Sequence, residues 1–191
     1  MTEKQPTLLT ERLVLRPFEA SDAHEVQRLA GEREIAATTI NIPHPYEDGV
    51  AEKWIASHPE RFEKKEVVNF AICDRTNGHL IGAISLFFSP ENQRAEIGYY
   101  IGKPHWGNGY CTEAAREMLR YAFEELGLNR IFGEYMAGNP ASGRVMEKIG
   151  MKYEGCLRQH IKKWDEFQDM KVHSILKCEY RTTQNATKCG D

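Results

Sequence analysis

Polar and apolar residues alternate from Arg12 to Phe18, the period of a half-buried strand that Pro17 closes. The period then changes. Asp22, with Glu25 three positions on as its capping-box partner, is placed to start a helix that runs to Ala30, and Gly31 to end it. Two prolines make Ile40–Tyr46 an irregular loop, and a second helix is expected from about Asp48 to His58, where Pro59 interrupts it. Val67–Cys73 and Leu80–Phe88 read as strands joined through Asp74–Gly78, whose Asn77-Gly78 pair is a strong hairpin signal. Ala95–Ile101 supplies a third strand after the turn at Ser89–Asn92. From Tyr110 to Leu126 the period lengthens to that of a helix, with Ala114, Met118, Tyr121, Ala122 and Leu126 on one face and Gly127 at the end. Arg130–Met136 predicts a short strand, Ala141–Ile149 a short helix stopped by Gly150, and Tyr153 to about Tyr180 two long strands.

Strands that first form hairpins and later alternate with helices indicate a mixed α/β sheet, antiparallel at its start and partly parallel at its middle. The chain has 191 residues, enough for one domain, read as residues 1–180 with a polar tail over 181–191 expected to fray. Hydrophobic residues at 41% and charged residues at 28% match a soluble folded protein, and no stretch approaches the ~18 apolar residues of a membrane helix. With 25 basic against 28 acidic residues, long-range attraction to nucleic acid or anionic lipid is not expected, so any bound anion must be held locally. Met1–Thr10 is polar and lacks the pattern of a signal peptide, which points to the cytoplasm. The five cysteines, Cys73, Cys111, Cys156, Cys178 and Cys189, show no CxxC spacing, so neither a disulfide framework nor a metal site is expected, and the Asn185-Ala186-Thr187 sequon carries no meaning.

The most informative stretch for chemistry is Trp106-Gly107-Asn108-Gly109-Tyr110-Cys111-Thr112, where two glycines fall between an expected strand and a strong helix. Backbone N–H groups that converge at a helix start, reinforced by the helix dipole, suit a pyrophosphate. The loop is neither a Walker motif, lacking the Lys-Ser/Thr pair, nor the GxGxxG of a dinucleotide fold, and by itself it also reads as a plain turn. Here the sequence resembles the GNAT superfamily of acetyl-CoA-dependent N-acetyltransferases, whose Q/R-x-x-G-x-G/A signature aligns with Trp106–Cys111. Trp106 and Cys111 depart from that pattern, although Trp106-Gly107-Asn108-Gly109-Tyr110 followed by Thr112-Glu113-Ala114 is similar to a variant in the RimJ/RimL-like branch, the ribosomal-protein N-terminal acetyltransferases. Further matches run in order through Glu11–Phe18, Glu96–Tyr99, Asn139–Ser142, Glu147–Met151, Glu154-Gly155 and Asp169.

The resemblance implies a GNAT-type acyl-CoA N-acyltransferase fold, a central mixed sheet of about seven strands flanked by about four helices. It implies that residues 107 to 112 hold the pyrophosphate of acetyl-CoA, with Trp106 opening that loop, and that the strand through Tyr99, Tyr100 and Ile101 pairs its backbone with pantetheine, as an added strand would. An amine then attacks the thioester directly, with a backbone N–H stabilising the oxyanion. The resemblance also implies that Asn139 contacts pantetheine and that Ser142 hydrogen-bonds the departing thiolate; from spacing alone the two are a turn residue and a helix start.

The attacking amine must be neutral, and Glu96 is the candidate base, directly or through water; a strand carboxylate facing solvent or a cation is the alternative. Alternation places Glu96, Gly98 and Tyr100 on one face and Ile97, Tyr99 and Ile101 on the other. Tyr46, Trp54, Phe87 and Trp164 are candidates for an acceptor pocket or for core, while Arg144 and Lys148 rank low as phosphate partners. Cys111 at a helix start could instead be a nucleophile, and a noncatalytic acyl-CoA-binding module is a further alternative. The resemblance favours the α-amine of a protein, such as a ribosomal protein, as the acceptor; a small-molecule amine such as a polyamine, antibiotic or metabolite is the alternative, and the chain is expected to act as a monomer or homodimer.

Overall fold

A computed structural model describes residues 4–180, so the polar tail, its sequon and Cys189 lie outside the described residues. Eight strands form one sheet in the order β1-β2-β3-β4-β5-β6-β8-β7. They are β1 (Leu8–Leu9), β2 (Leu13–Arg16), β3 (Val67–Asp74), β4 (Leu80–Ser89), β5 (Arg94–Ile101), β6 (Arg130–Met136), β7 (Lys152–Lys163) and β8 (Glu166–Leu176). The class is the expected one, and the strand beyond the seven expected is the two-residue β1, where buried Leu8 pairs with Leu15 inside a segment that reads as polar.

Six α-helices, rather than about four, accompany the sheet among the described residues: α1 (Ala23–Ala30), α2 (Arg33–Thr38), α3 (Val50–Ala56), α4 (His58–Glu63), α5 (Tyr110–Arg120) and α6 (Pro140–Lys148). The single helix expected to end near His58 is two, because Pro59 sits in the first turn of α4, where a missing N–H costs nothing. The long helix from Tyr110 widens after Arg120 into a π-turn, with Leu126 N–H donating to Tyr121 C=O at 3.0 Å. Asp22 precedes α1 but does not cap it. Its carboxylate takes the Arg16 guanidinium at 2.7 and 2.8 Å and the Glu19 N–H at 2.8 Å. Burial alone would raise the Asp22 carboxyl, but these donors outweigh it and hold it below the usual carboxylate range.

The sheet divides the core into two. On one face Ile97 and Ile101 of β5 pack with Ala114, Met118 and Ala122 of the α5 segment and Met146 of α6. On the other face Val26 and Leu29 of α1 and Ile55 of α3 pack with Ala71 and Cys73 of β3, and Tyr100 joins them. The alternation along β5 is therefore the expected one.

β5 and β6 are the parallel pair, and they are joined only at Arg94–Arg130, Ala95–Ile131 and Glu96–Phe132. Beyond Glu96 they part, although β5 continues to Ile101 and β6 to Met136. Met146 reaches the point of separation: a Cβ on Gly133 would lie 2.5 Å from the Met146 methyl and 3.2 Å from Ile97 Cγ2, so a side chain there would displace that methyl. Met146 is buried, at the edge of the opening between the strands. Met146→Ala is expected to cost ~2–5 kcal/mol of stability in urea unfolding, as large-to-small changes at buried sites do. A loss below ~1 kcal/mol would show that Met146 does not hold the strands.

Candidate functional site

The parting of β5 and β6 opens a cavity of about 500 Å³ that also reaches under α1, α3 and the loop after α2. β5 lines it with Glu96, Tyr99 and Tyr100, and α6 with Ser142 and Met146, so both expected catalytic residues face one space. Tyr46, Trp54 and Phe87 wall it as well, whereas Trp164 lines a smaller adjacent cavity with Arg33 and Lys163. Glu96 is half-buried in the cavity. Burial raises its carboxyl above the ordinary range, and the negative charge of Glu134 on β6 raises it further. Among the described residues no ion pair involves either carboxylate.

Asn139 and Ser142 meet as a helix cap and its first turn. Ser142 N–H donates to Asn139 Oδ1 at 3.3 Å, and Asn139 Nδ2 donates to Ser142 Oγ at 3.1 Å and to Thr38 C=O at 3.2 Å. The Ser142 oxygen thus accepts, and its own proton is left to donate elsewhere. Tyr99 donates its hydroxyl to Ser142 C=O at 3.2 Å, and burial pushes that phenol up, which keeps it a donor. The cap and the candidate functional contact are the same two residues, Asn139 and Ser142.

The glycine loop lies past the end of β5. Gly107 and Gly109 have φ of 80° and 78°, the left-handed region that L side chains rarely enter, and a Cβ at Gly107 would meet nothing within 4 Å, so that stretch of backbone lies open. Tyr110, Cys111 and Thr112 form the first turn of α5, whose N–H groups have no acceptor within the helix. Trp106, the departure from the signature, fixes this loop to the sheet: its indole N–H donates to Ile101 C=O at 2.6 Å. Asn108 Nδ2 donates to the carbonyls of His105 and Trp106 at 3.2 Å, and Asn108 C=O accepts from Arg12 at 3.0 Å. Arg12 also covers the Tyr110 ring at 4.7 Å and donates from Nε to Glu113 at 2.7 Å. Glu113 takes the Arg12 N–H and the Thr10 hydroxyl as well, locking the start of α5 to β2.

Cys111, in the first turn of α5, packs against the core, and burial pushes its thiol up to about 12, the opposite of what a nucleophile needs. The side chain of Ile101 is core, so only its backbone is available to a ligand. Sequence reasoning passed over Glu134, Asn69 and Ser85. Alternation along Arg130–Met136 puts Glu134 on one face with Phe132, a signal that was present; the convergence of β3, β4 and β5 beneath the cavity is not visible in a linear pattern. No helix among the described residues is long and apolar enough to cross a membrane.

Residues 12–152 match the family model described as an acetyltransferase (GNAT) domain. The "Probable N-acetyltransferase YjcK" of Bacillus subtilis is 37% identical over 169 residues, covering 86% of this chain and 93% of that protein. The ribosomal-protein-serine acetyltransferase of Escherichia coli is 31% identical over 98 residues, 51% of this chain and 55% of that protein. Among solved structures, the spermidine N-acetyltransferase of Vibrio cholerae in complex with CoA and spermine superposes with a TM-score of 0.78 at 25% identity, over 90% of this chain and 99% of that one.

The raised thiol of half-buried Cys111 gives a direct check. At pH 8 a thiol reagent is expected to label exposed Cys156 within minutes, while Cys111 reacts only on unfolding, and Cys111→Ala retains activity. Rapid labelling of Cys111 in the folded protein, or loss of activity in the alanine variant, would restore the nucleophile reading.

Proposed function

The chain belongs to the GNAT family of N-acetyltransferases, and on that premise we propose that it moves the acetyl group of acetyl-CoA to a small primary amine held over Glu96. The observation that carries this reading is the meeting of Glu96 and Ser142 in one cavity at the parting of β5 and β6. A volume of about 500 Å³, enclosed by Tyr46, Trp54 and Phe87, is within the range of small-molecule sites. The partial similarity to a ribosomal-protein-serine acetyltransferase favours a second reading, in which the acceptor is the α-amine of a protein.

Acetyl-CoA, when bound, supplies an acetyl group activated as a thioester. The residues fit it: the open backbone at Gly107 and the unpaired first-turn N–H groups through Thr112 suit its pyrophosphate. The β5 edge that β6 leaves free after Glu96 offers the backbone groups of Tyr99 and the N–H of Ile101 to the amides of pantetheine, while the Ile101 C=O holds Trp106 and the Tyr100 backbone, like that of Gly102, turns to β4.

Glu96 takes the proton that the acceptor must lose, because amines with pKa of ~8 to ~10.4 are mostly ammonium at neutral pH. Its raised carboxyl makes it a stronger base than an exposed glutamate, and the flanking Glu134 charge favours a cation arriving there. Ser142, whose oxygen is engaged by Asn139, directs its hydroxyl proton to the departing sulfur. Both roles separate catalysis from donor binding, which a binding-only module would have no use for.

Glu96→Gln is expected to lower kcat by ~10²–10⁴-fold while changing the Kd of acetyl-CoA little. The same base sets the acid limb: kcat/KM falls as pH drops through a pKa above the ordinary glutamate value of ~4.3, since protonation removes the base. An unchanged rate in the glutamine variant would remove Glu96 from the mechanism. Ser142→Ala should keep acetyl-CoA binding and lose turnover; equal loss of both would assign the Ser142 hydroxyl to orienting Asn139 rather than to the departing sulfur.

A further inference from the structure

The cavity floor carries a polar group that acetyl transfer does not employ. Asn69 on β3 is only 3% exposed and lines the cavity. Its Oδ1 accepts from Ser85 Oγ at 2.7 Å, which fixes the amide, but its Nδ2 has no hydrogen-bond partner. A buried donor left unpaired costs stability and is rare in folded proteins, so it calls for a functional explanation. The Tyr100 hydroxyl, on the same cavity, is unpartnered too.

The strand registers show what lies between Asn69 and the transfer site. Asn69 is opposite Ser85, and Ser85 is opposite Gly98, two residues from Glu96 on the same face of β5. Gly98 raises no side chain and the Phe87 ring lies against it, 3.2 Å from where a Cβ would stand, so an apolar floor separates a neutral donor at one end from the carboxylates of Glu96 and Glu134 at the other. Tyr46 and Trp54 supply apolar walls above it. Two inter-strand spacings, ~10 Å, and the two-residue offset along β5, ~7 Å, put Asn69 and Glu96 ~12 Å apart. With one hydrogen-bond length taken up at each end, a ligand there has ~6–8 Å between the nitrogen that meets Glu96 and the atom that meets Asn69.

The chemistry of the far end follows from its surroundings. Nδ2 of an amide donates, so the ligand presents an oxygen acceptor. That oxygen is neutral, because Glu96 and Glu134 repel an anion and Arg61, the cation lining the cavity, already pairs with Glu66 at 3.2 Å. We propose that Asn69, held by Ser85, is a specificity-determining residue, and that the acceptor is a compact primary amine carrying a neutral oxygen ~6–8 Å from its nitrogen. This assignment rests on the Glu96-centred transfer described above and deepens it.

Three amines of matched shape test it: tyramine, phenethylamine and 4-(2-aminoethyl)benzoate, with saturating acetyl-CoA and free-thiol release as the readout. The wild-type kcat/KM is expected to be about tenfold or more higher for tyramine than for phenethylamine, as one buried hydrogen bond provides, with the benzoate below both. Asn69→Leu should bring the tyramine-to-phenethylamine ratio to about one. Ser85→Ala, which removes only the hydroxyl that orients the amide, should lower the ratio in the same direction and does not depend on the leucine variant folding. A ratio unchanged in the folded variants, an equal loss for every amine, or a preference for the benzoate would overturn the proposal. Acetylation of other amines but none of these three would overturn it while leaving the transfer reading intact. No thiol release with any amine would contradict the transfer reading and this inference together.

Discussion

Everything at the site depends on a pairing that stops early. β5 and β6 share three residue pairs and then part around Met146, with Gly133 leaving its methyl in place. An unbroken parallel ladder would cover the β5 edge and close the cavity over Glu96. Because the strands diverge, one strand presents a free backbone edge to a ligand while its side chains, alternating, serve two faces. Ile97 and Ile101 secure β5 to the α5 core, and Glu96, Gly98 and Tyr100 are left to the opposite side. The rigidity of the first set positions the second.

Electrostatics then sort the site by distance along β5. At one end the helix start and the glycine loop offer unpaired N–H groups to an anion, braced by Trp106 and by the Arg12–Glu113 contacts. At the other, two carboxylates and a fixed amide suit a cation with a neutral oxygen behind it. Ser142 lies between the two functions, its oxygen bound by Asn139 and its carbonyl by Tyr99. A negatively charged chain can in this way bind a polyanionic donor, since the attraction is local backbone polarity rather than net charge.

Much of this architecture was legible in the sequence because it rests on local chemistry. The hairpin at Asn77-Gly78, the switch from period two to a helical period at Tyr110, and the boundaries of Arg130–Met136 all follow from residues close in the chain. Two short elements were not legible. β1 depends on Leu8 finding Leu15 and the core, and α2 occupies a stretch with no capping signal. The spacing allows Asp22 to cap a helix, but Arg16 competes for the same carboxylate and takes it. At the site, Glu96 and Ser142 carried motif signals, whereas Asn69 and Glu134 acquire meaning only when strands distant in sequence are laid side by side.

The central claim, that the free β5 edge and the glycine loop hold acetyl-CoA, is tested most directly by thermal unfolding with and without that ligand. At about 100 times the Kd, binding to the folded state adds ~2.7 kcal/mol, and the account predicts a rise in Tm on the order of 5 to 10 °C for a chain of this size. An unchanged Tm at millimolar acetyl-CoA would contradict it, and the open backbone at Gly107 would then be only a turn.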